Sequence, residues 1–216
     1  MAKICIINGS PRKNFNTHKM CEAFERGVKS SNKSVETKIF NLYDYNYKGC
    51  HSCLCCKLKD SKSYGHCVIK DDITDVIEEV SNSDGVVFAS PIYFMDITGE
   101  MKSFLERLLF PYLTYEKGFH AIPPKKLYTA TIYTMNVREE AFHTTHFESI
   151  EWYISHVFGR PERICAFNTC QVKDYSMYKM DVFNEQDKLL YKDKNWNKDL
   201  EKAYTAGRNM AEKITK

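Results

Sequence analysis

The sequence has almost no net charge of either sign. Its 31 Lys and Arg stand against 28 Asp and Glu, a formal charge of +3. Nor are the basic residues gathered. Lys57, Lys59 and Lys62 are interleaved with Asp60 and Ser61, and elsewhere they cluster no further than pairs such as Lys125 and Lys126. The basic footprint that nucleic-acid binding requires is missing, so no nucleic-acid partner is expected. No apolar run approaches the roughly 20 residues of a membrane span, so no membrane partner is expected either. The opening "MAKICIINGS" is too short and too polar for a signal peptide, which points to a cytoplasmic location where thiols stay reduced. There is no internal repeat and no low-complexity linker. What remains is ordinary: 43% hydrophobic and 27% charged residues, enough for a full core within one domain over 1–216. Cysteine is the exception. There are nine, an odd number, and five fall in "GCHSCLCCKLKDSKSYGHC", Gly49 to Cys67. In a reducing compartment that favours metal, redox chemistry or burial over a disulfide framework.

Short apolar runs alternate with helical patterns. "KICIIN" (3–8), "VETKIFNL" (35–42), "GVVFAS" (85–90), "KLYTATIYT" (126–134) and "RICAFNT" (163–169) read as strands. Helical spacing follows them at Met20, Cys21, Phe24 and Val28. It recurs at Ile73, Val76, Ile77 and Val80; at Ile97, Met101, Phe104, Leu105 and Leu108; and at Phe147, Ile150, Ile154 and Val157. The last pattern runs through Trp196, Leu200, Ala203, Met210 and Ile214. Gly207 lies on the apolar face of that last helix, where glycine is unfavourable. Buried strands with little alternation, each followed by a helix, predict a parallel sheet covered on both faces. Two segments stand outside the pattern, the cysteine loop at about 43–70 and a Tyr-, Asp- and Lys-rich stretch at about 171–194. Both read as loops or short helices decorating the domain. Lys102 and Arg107 read as a solvated helix face or a salt bridge to a second copy.

The chemistry is expected at two loops. "NGSPRKNFNTHKM", Asn8 to Met20, follows the first strand and leads into a helix, the place where an open parallel sheet binds phosphate. Gly9 permits a sharp turn, and Ser10, Asn16 and Thr17 offer hydroxyl and amide groups beside a helix N-terminus that favours an anion. No Walker lysine follows a glycine, which excludes a triphosphate loop, and no second glycine sits at the pyrophosphate position, which excludes a dinucleotide fingerprint. A single phosphate remains, against the plainer reading of a capped strand–turn–helix. The third strand ends in "SPIYF", where Pro91 breaks the strand and Ile92, Tyr93 and Phe94 reach the carboxyl edge of the sheet. An aromatic loop beside a phosphate loop suits a flat ring with a phosphate tail.

"NGSPRKNFNT", "ASPIYF", "GEMKSFLER" and the "GC..C..C…G.C…DD" block together resemble the flavodoxin-like NADPH-dependent FMN reductase family, whose cysteine-bearing relatives are the iron–sulfur flavoproteins. The resemblance spans roughly 3–135. It implies an α/β fold, a flavodoxin-like doubly wound five-stranded parallel sheet with helices on both faces, bound FMN, NAD(P)H as substrate, and a homodimer or homotetramer. It assigns the FMN phosphate to Ser10, Arg12, Asn16 and Thr17. The ring goes to Pro91, Ile92, Tyr93 and Phe94, with Thr134 and Asn136 on its other side. Phe15 and Met95 stand where the family pattern commonly has glycine, and their bulk would narrow the ring pocket or move the loop. No catalytic side chain is assigned, because a flavin takes up hydride itself.

Cys50, Cys53 and Cys56 are spaced C-x2-C-x2-C, with Cys67 ten intervening residues on and Cys55 off the pattern. Such a set suits an iron–sulfur cluster or a zinc ion. In the iron–sulfur branch the fourth cysteine follows the third more closely, and no metal is assigned. Cys5, Cys21, Cys165 and Cys170 fall in or beside strand and helix patterns and read mostly as buried small hydrophobes. The expected function is an FMN-dependent oxidoreductase passing hydride from NAD(P)H through FMN to a flavin, quinone or other small-molecule electron acceptor. Two alternatives stand beside it: an electron carrier with a cluster on Cys50, Cys53, Cys56 and Cys67, which the +3 charge fits poorly, and a non-enzymatic zinc-stapled binding module.

Overall fold

A strand such as "KICIIN", apolar on both faces, can persist only at the centre of a sheet covered on two sides. The computed structural model describes residues 1–216, with the side chain of Thr144 outside the description. In chain order its elements are β1 (Lys3–Asn8), α1 (Asn16–Ser31), β2 (Glu36–Asn41), α2 (Thr74–Ser81), β3 (Gly85–Tyr93) and β4 (Asp96–Ile97). They continue with α3 (Gly99–Leu109), β5 (Tyr128–Thr134), α4 (Glu148–Val157), β6 (Glu162–Ala166) and α5 (Glu185–Ile214). Five parallel strands lie in the order β2-β1-β3-β5-β6, and the two-residue β4 pairs antiparallel with the end of β3. The order reverses beside β1, which places the ligand-binding crevice of such a sheet at the carboxyl ends of β1 and β3.

Each face has its own core. Ile4 and Ile6 of β1 pack with Met20 and Phe24 of α1 and with Ala203 and Met210 of α5. Cys5 and Ile7 pack on the opposite side with Val76 of α2, Phe104 and Leu108 of α3, and Ile154 of α4. The glycine that read as a defect is a requirement. A Cβ on Gly207 would lie 2.1 Å from the Phe24 carbonyl oxygen, and one on Gly27 would lie 1.9 Å from that of Tyr204. The backbones of α1 and α5 therefore touch, and only glycine allows it.

Two regions depart from expectation. Helix α5 begins at Glu185 and runs for 30 residues, so the supposed decoration at 171–194 belongs to it from Glu185 onward. Asn184 caps it by accepting from the Asp187 N–H, and Glu185 and Asp187 complement the positive end. The apolar signal was absent there because Leu189 and Leu190 face water. Arg107 does not lie on a solvated face. It is 1% exposed and donates to both carboxylate oxygens of Asp71 (2.7 and 3.2 Å), to the carbonyls of Lys48 and Ile69, and to the Cys67 Sγ. It thereby fastens the end of the cysteine loop to α3.

Two outcomes follow from these contacts. Gly207→Ala gains about 1 kcal/mol in helix propensity but must force two backbones apart. It should lower the stability measured by urea unfolding by about 2 kcal/mol net, and a rise would show that α5 can move off α1. For Asp71, burial acts to raise its pKa, but the Arg107 hydrogen bonds and charge outweigh it and hold the pKa below the ordinary 3.8. That contribution is complete above the unfolded value and is lost as pH falls through the lower folded one. Arg107→Met should cost about 3 kcal/mol at neutral pH, with the difference from the parent chain shrinking as acid protonates Asp71.

Candidate active site

The turn after β1 is fixed from inside. The Gly9 N–H donates to the Ala89 carbonyl (2.8 Å), and the Thr98 hydroxyl donates to the Gly9 carbonyl (2.8 Å). A Cβ at Gly9 would meet Met101 at 2.9 Å. The Asn8 side chain accepts from the Ser10 N–H (3.1 Å), and Ser10 Oγ accepts from the Arg12 N–H (3.2 Å). Helix α1 then starts behind Phe15 with no side-chain cap and no acidic residue in its first turn. Its positive end is left without a counter-charge.

That end opens into a cavity of about 370 Å³, within the usual range of ligand sites. The loop after β1 brings Ser10, Arg12, Asn16 and Thr17 to it. The end of β3 brings Pro91, Ile92 and Tyr93, and the end of β5 brings Thr134 and Asn136. The register pairs Pro91 with Thr134, which sets these two strand ends side by side. The Thr17 and Thr134 hydroxyls are hydrogen-bonded at 2.8 Å.

Phe94 is the expected residue that does not join them. It is fully exposed, at the tip of the β3–β4 hairpin. Phe94 and Met95 have φ of 50° and 68°, the left-handed pair that a two-residue hairpin turn demands. The turn takes both away from the cavity, so Met95 does not narrow it, whereas Phe15 lines it.

A further wall went unread in the sequence. Thr169, Gln171, Val172, Tyr178 and Met180 close the side opposite β3. Asn16 Nδ2 donates to the Cys170 carbonyl (2.8 Å), and Asn136 Nδ2 donates to Gln171 Oε1 (2.7 Å). The Arg12 guanidinium donates to the Gln171 carbonyl and lies 3.9 Å over the Phe15 ring. No periodic signal marks 168–180, and only its unusual composition set it apart. Among the described residues, the lining has no Asp, Glu, His, Cys or Lys, and Arg12 is its one charged side chain. An anion entering here meets a guanidinium and a helix N-terminus and no like charge.

Residues 2–127 match the family model described as NADPH-dependent FMN reductase. The chain belongs to this family. Within it, the chain is similar to an iron–sulfur flavoprotein of Archaeoglobus fulgidus, 37% identical over 107 residues covering 49% of this chain and 44% of that one. An iron–sulfur flavoprotein of Clostridioides difficile is 33% identical over 122 residues, 55% and 52% of the two chains. The chain thus spans about half the length of the curated relatives it matches. Its fold is shared with an NAD(P)H:quinone oxidoreductase from Methanothermobacter marburgensis (TM-score 0.67, 14% identity, 96% of each chain). It is shared also with an FMN-dependent NADH-azoreductase from Bacillus anthracis solved with FMN (TM-score 0.63, 11% identity, all of both chains).

The cysteine loop of this reductase-family chain lies on the outer side of α3. Gly49 packs against Ser103 and Glu106, and the Cys50 N–H donates to Glu106 at 3.2 Å. Among the described residues, no three Cys, His, Asp or Glu side chains converge to hold a metal. In the loop as folded Cys56 is buried, Cys53 is exposed, and the Cys67 Sγ accepts a hydrogen bond from Arg107 at 3.2 Å. The thiols differ in reactivity. The Cys55 backbone, and then its side chain, hydrogen-bond Cys53 and lower its pKa. Burial pushes Cys5 up to about 11 and Cys165 to about 12. Because the thiolate is the reactive form, limiting iodoacetamide near neutral pH should alkylate Cys53 well before Cys5 and Cys165, read by peptide mass spectrometry. Equal labelling would contradict this ordering.

Proposed function

We propose that the chain is an FMN-dependent oxidoreductase that takes hydride from NAD(P)H and passes electrons through FMN to a small acceptor such as a flavin or quinone. The observation that carries this reading is the cavity itself, with an uncapped helix end and Arg12 on one side and the Pro91–Tyr93 strand end facing Thr134 and Asn136 on the other. When bound, FMN supplies the hydride-accepting chemistry. The protein groups do the rest. Ser10, Arg12, Asn16 and Thr17 would hold the phosphate, and the α1 dipole would stabilise its charge. Pro91, Ile92 and Tyr93 would lie along one face of the ring. The hydrogen bond between Thr17 and Thr134 keeps the phosphate end and the ring floor at a fixed separation. With no carboxylate, imidazole, thiol or amine on the lining, the described cavity offers no ordinary acid–base or nucleophilic chemistry at neutral pH, which supports a role in which the cofactor reacts.

The proposal includes a cytoplasmic location and a second copy of the chain as partner, in a homodimer or homotetramer. The exposed aromatic face formed by Tyr115, Phe119, Trp152 and Tyr153 supports the second copy. Among the described residues no helix is long and apolar enough to cross a membrane. The proposal routes nothing through the cysteine loop.

The test pairs binding with turnover. The purified chain should retain added FMN after gel filtration, and NADPH or NADH added under nitrogen should bleach the flavin band. Ser10→Glu should weaken FMN binding at least about tenfold, or 1.4 kcal/mol, while riboflavin, which lacks the phosphate, binds as before. A chain that retains no flavin refutes the proposal, and equal losses for both flavins refute the phosphate assignment.

A further inference from the structure

Lys188 lies in the part of α5 that the sequence pattern did not reveal. It is 5% exposed, and among the described residues it forms no ion pair. Its ammonium group instead has three acceptors: the Asn136 carbonyl at 2.9 Å, the Asn136 side-chain oxygen and the Asn168 side-chain oxygen. Three donors meet three acceptors. A lysine can only donate, so its position decides which way the Asn136 carboxamide faces. Oδ1 must turn to Lys188, and Nδ2 is left to face the cavity wall. Nδ2 donates there to Gln171 Oε1 at 2.7 Å. That contact in turn decides the orientation of Gln171. Its backbone is held independently, with the N–H donating to the Tyr175 hydroxyl at 3.0 Å and the carbonyl accepting from Arg12. Gln171 lines the cavity, and among the described residues its Nε2 has no partner.

We propose that Gln171 is a ligand-binding residue whose amide N–H donates to a carbonyl oxygen of the ring held between the β3 and β5 ends, and that Lys188 is the positioning residue that fixes this donor through Asn136. The assignment rests on the flavin reading above and deepens it. The chain of contacts has one polarity from end to end, because it begins at a group with no acceptor. A buried ammonium without a carboxylate is costly to hold, and a purely structural role could be met by an apolar side chain. Burial also pulls the Lys188 pKa below the ordinary lysine value. Asn136 lies two residues past the end of β5, where Pro91 is the register partner of Thr134, so the side chain that holds the Gln171 amide stands beside the strand ends to which the ring is assigned.

Gln171→Glu keeps the oxygen that Asn136 holds and replaces the free N–H donor by a second acceptor. It is an exposed rim substitution, so folding does not confound it. FMN and riboflavin dissociation constants should both rise about tenfold or more, the bound flavin's visible spectrum should shift, and the melting temperature of the flavin-free chain should stay unchanged. Lys188→Met should weaken both flavins in the same way, and Lys188→Arg should restore part of the loss. Weakened FMN with unaltered riboflavin would overturn the ring assignment in favour of charge acting on the phosphate. Parental affinities in both Gln171→Glu and Lys188→Met would overturn the relay, whatever happens to the melting temperature of the lysine variant. A parent chain that binds neither flavin would overturn the flavin reading, and this assignment with it.

Discussion

The close approach of α1 and α5 is the constraint on which the site depends. Gly27 and Gly207 let the two backbones meet, and this sets the height and angle at which the 30-residue α5 crosses the sheet. Its first turns extend past the sheet edge and place Lys188 behind the carboxyl ends of β5 and β6. Through Asn136 and Asn168 that lysine anchors the 168–180 wall. Helix α1, on the other side of the same contact, presents its uncapped N-terminus to the cavity. Two glycines therefore link the phosphate end and the far wall, although neither touches the cavity.

The electrostatics of the cavity follow from what each element brings. Turns at strand ends supply hydroxyls and amides, the helix supplies its dipole, and Arg12 supplies a full charge while also donating to the Gln171 carbonyl and lying over the Phe15 ring. No described acidic side chain opposes them on the lining. The proposed ligand, with an anionic end and a neutral body, suits such a lining. The cysteine loop stands apart from this arrangement, fastened to the outer side of α3 by Arg107 and by the Lys57 ammonium, which donates to the Phe110, Pro111 and Leu113 carbonyls. Two cations hold that loop without any metal-binding constellation among the described residues.

The central strands β1 and β3 were legible because burial on both faces leaves apolar runs, and the helices because one stripe of each is buried. The loop after β1 was legible through residue type and position, a turn with Ser, Asn and Thr between a strand and a helix, although those residues by themselves suit a plain capped turn equally well. Three features were not. Phe and Met are not residue types that favour a turn, and the left-handed backbone of Phe94 and Met95 is imposed by the pairing of Ile92 with Ile97 and Tyr93 with Asp96. Arg107 read as exposed because a charged residue on a helix usually is. Its burial depends on Asp71, which lies 36 positions away in sequence. The wall at 168–180 has no period, since its only regular element is the short 3-10 turn Tyr175–Met177, and the rest is held by side-chain bonds to Asn16 and Asn136 and by backbone bonds to Met135 and Val137.

The most direct measurement is a crystal structure of the chain grown with FMN. The account predicts the phosphate at the N-terminus of α1, among Ser10, Arg12, Asn16 and Thr17. It predicts the ring between Pro91–Tyr93 and Thr134–Asn136, with Phe94 still in solvent. A flavin bound elsewhere, or reversed so that its phosphate leaves the α1 terminus, would contradict it.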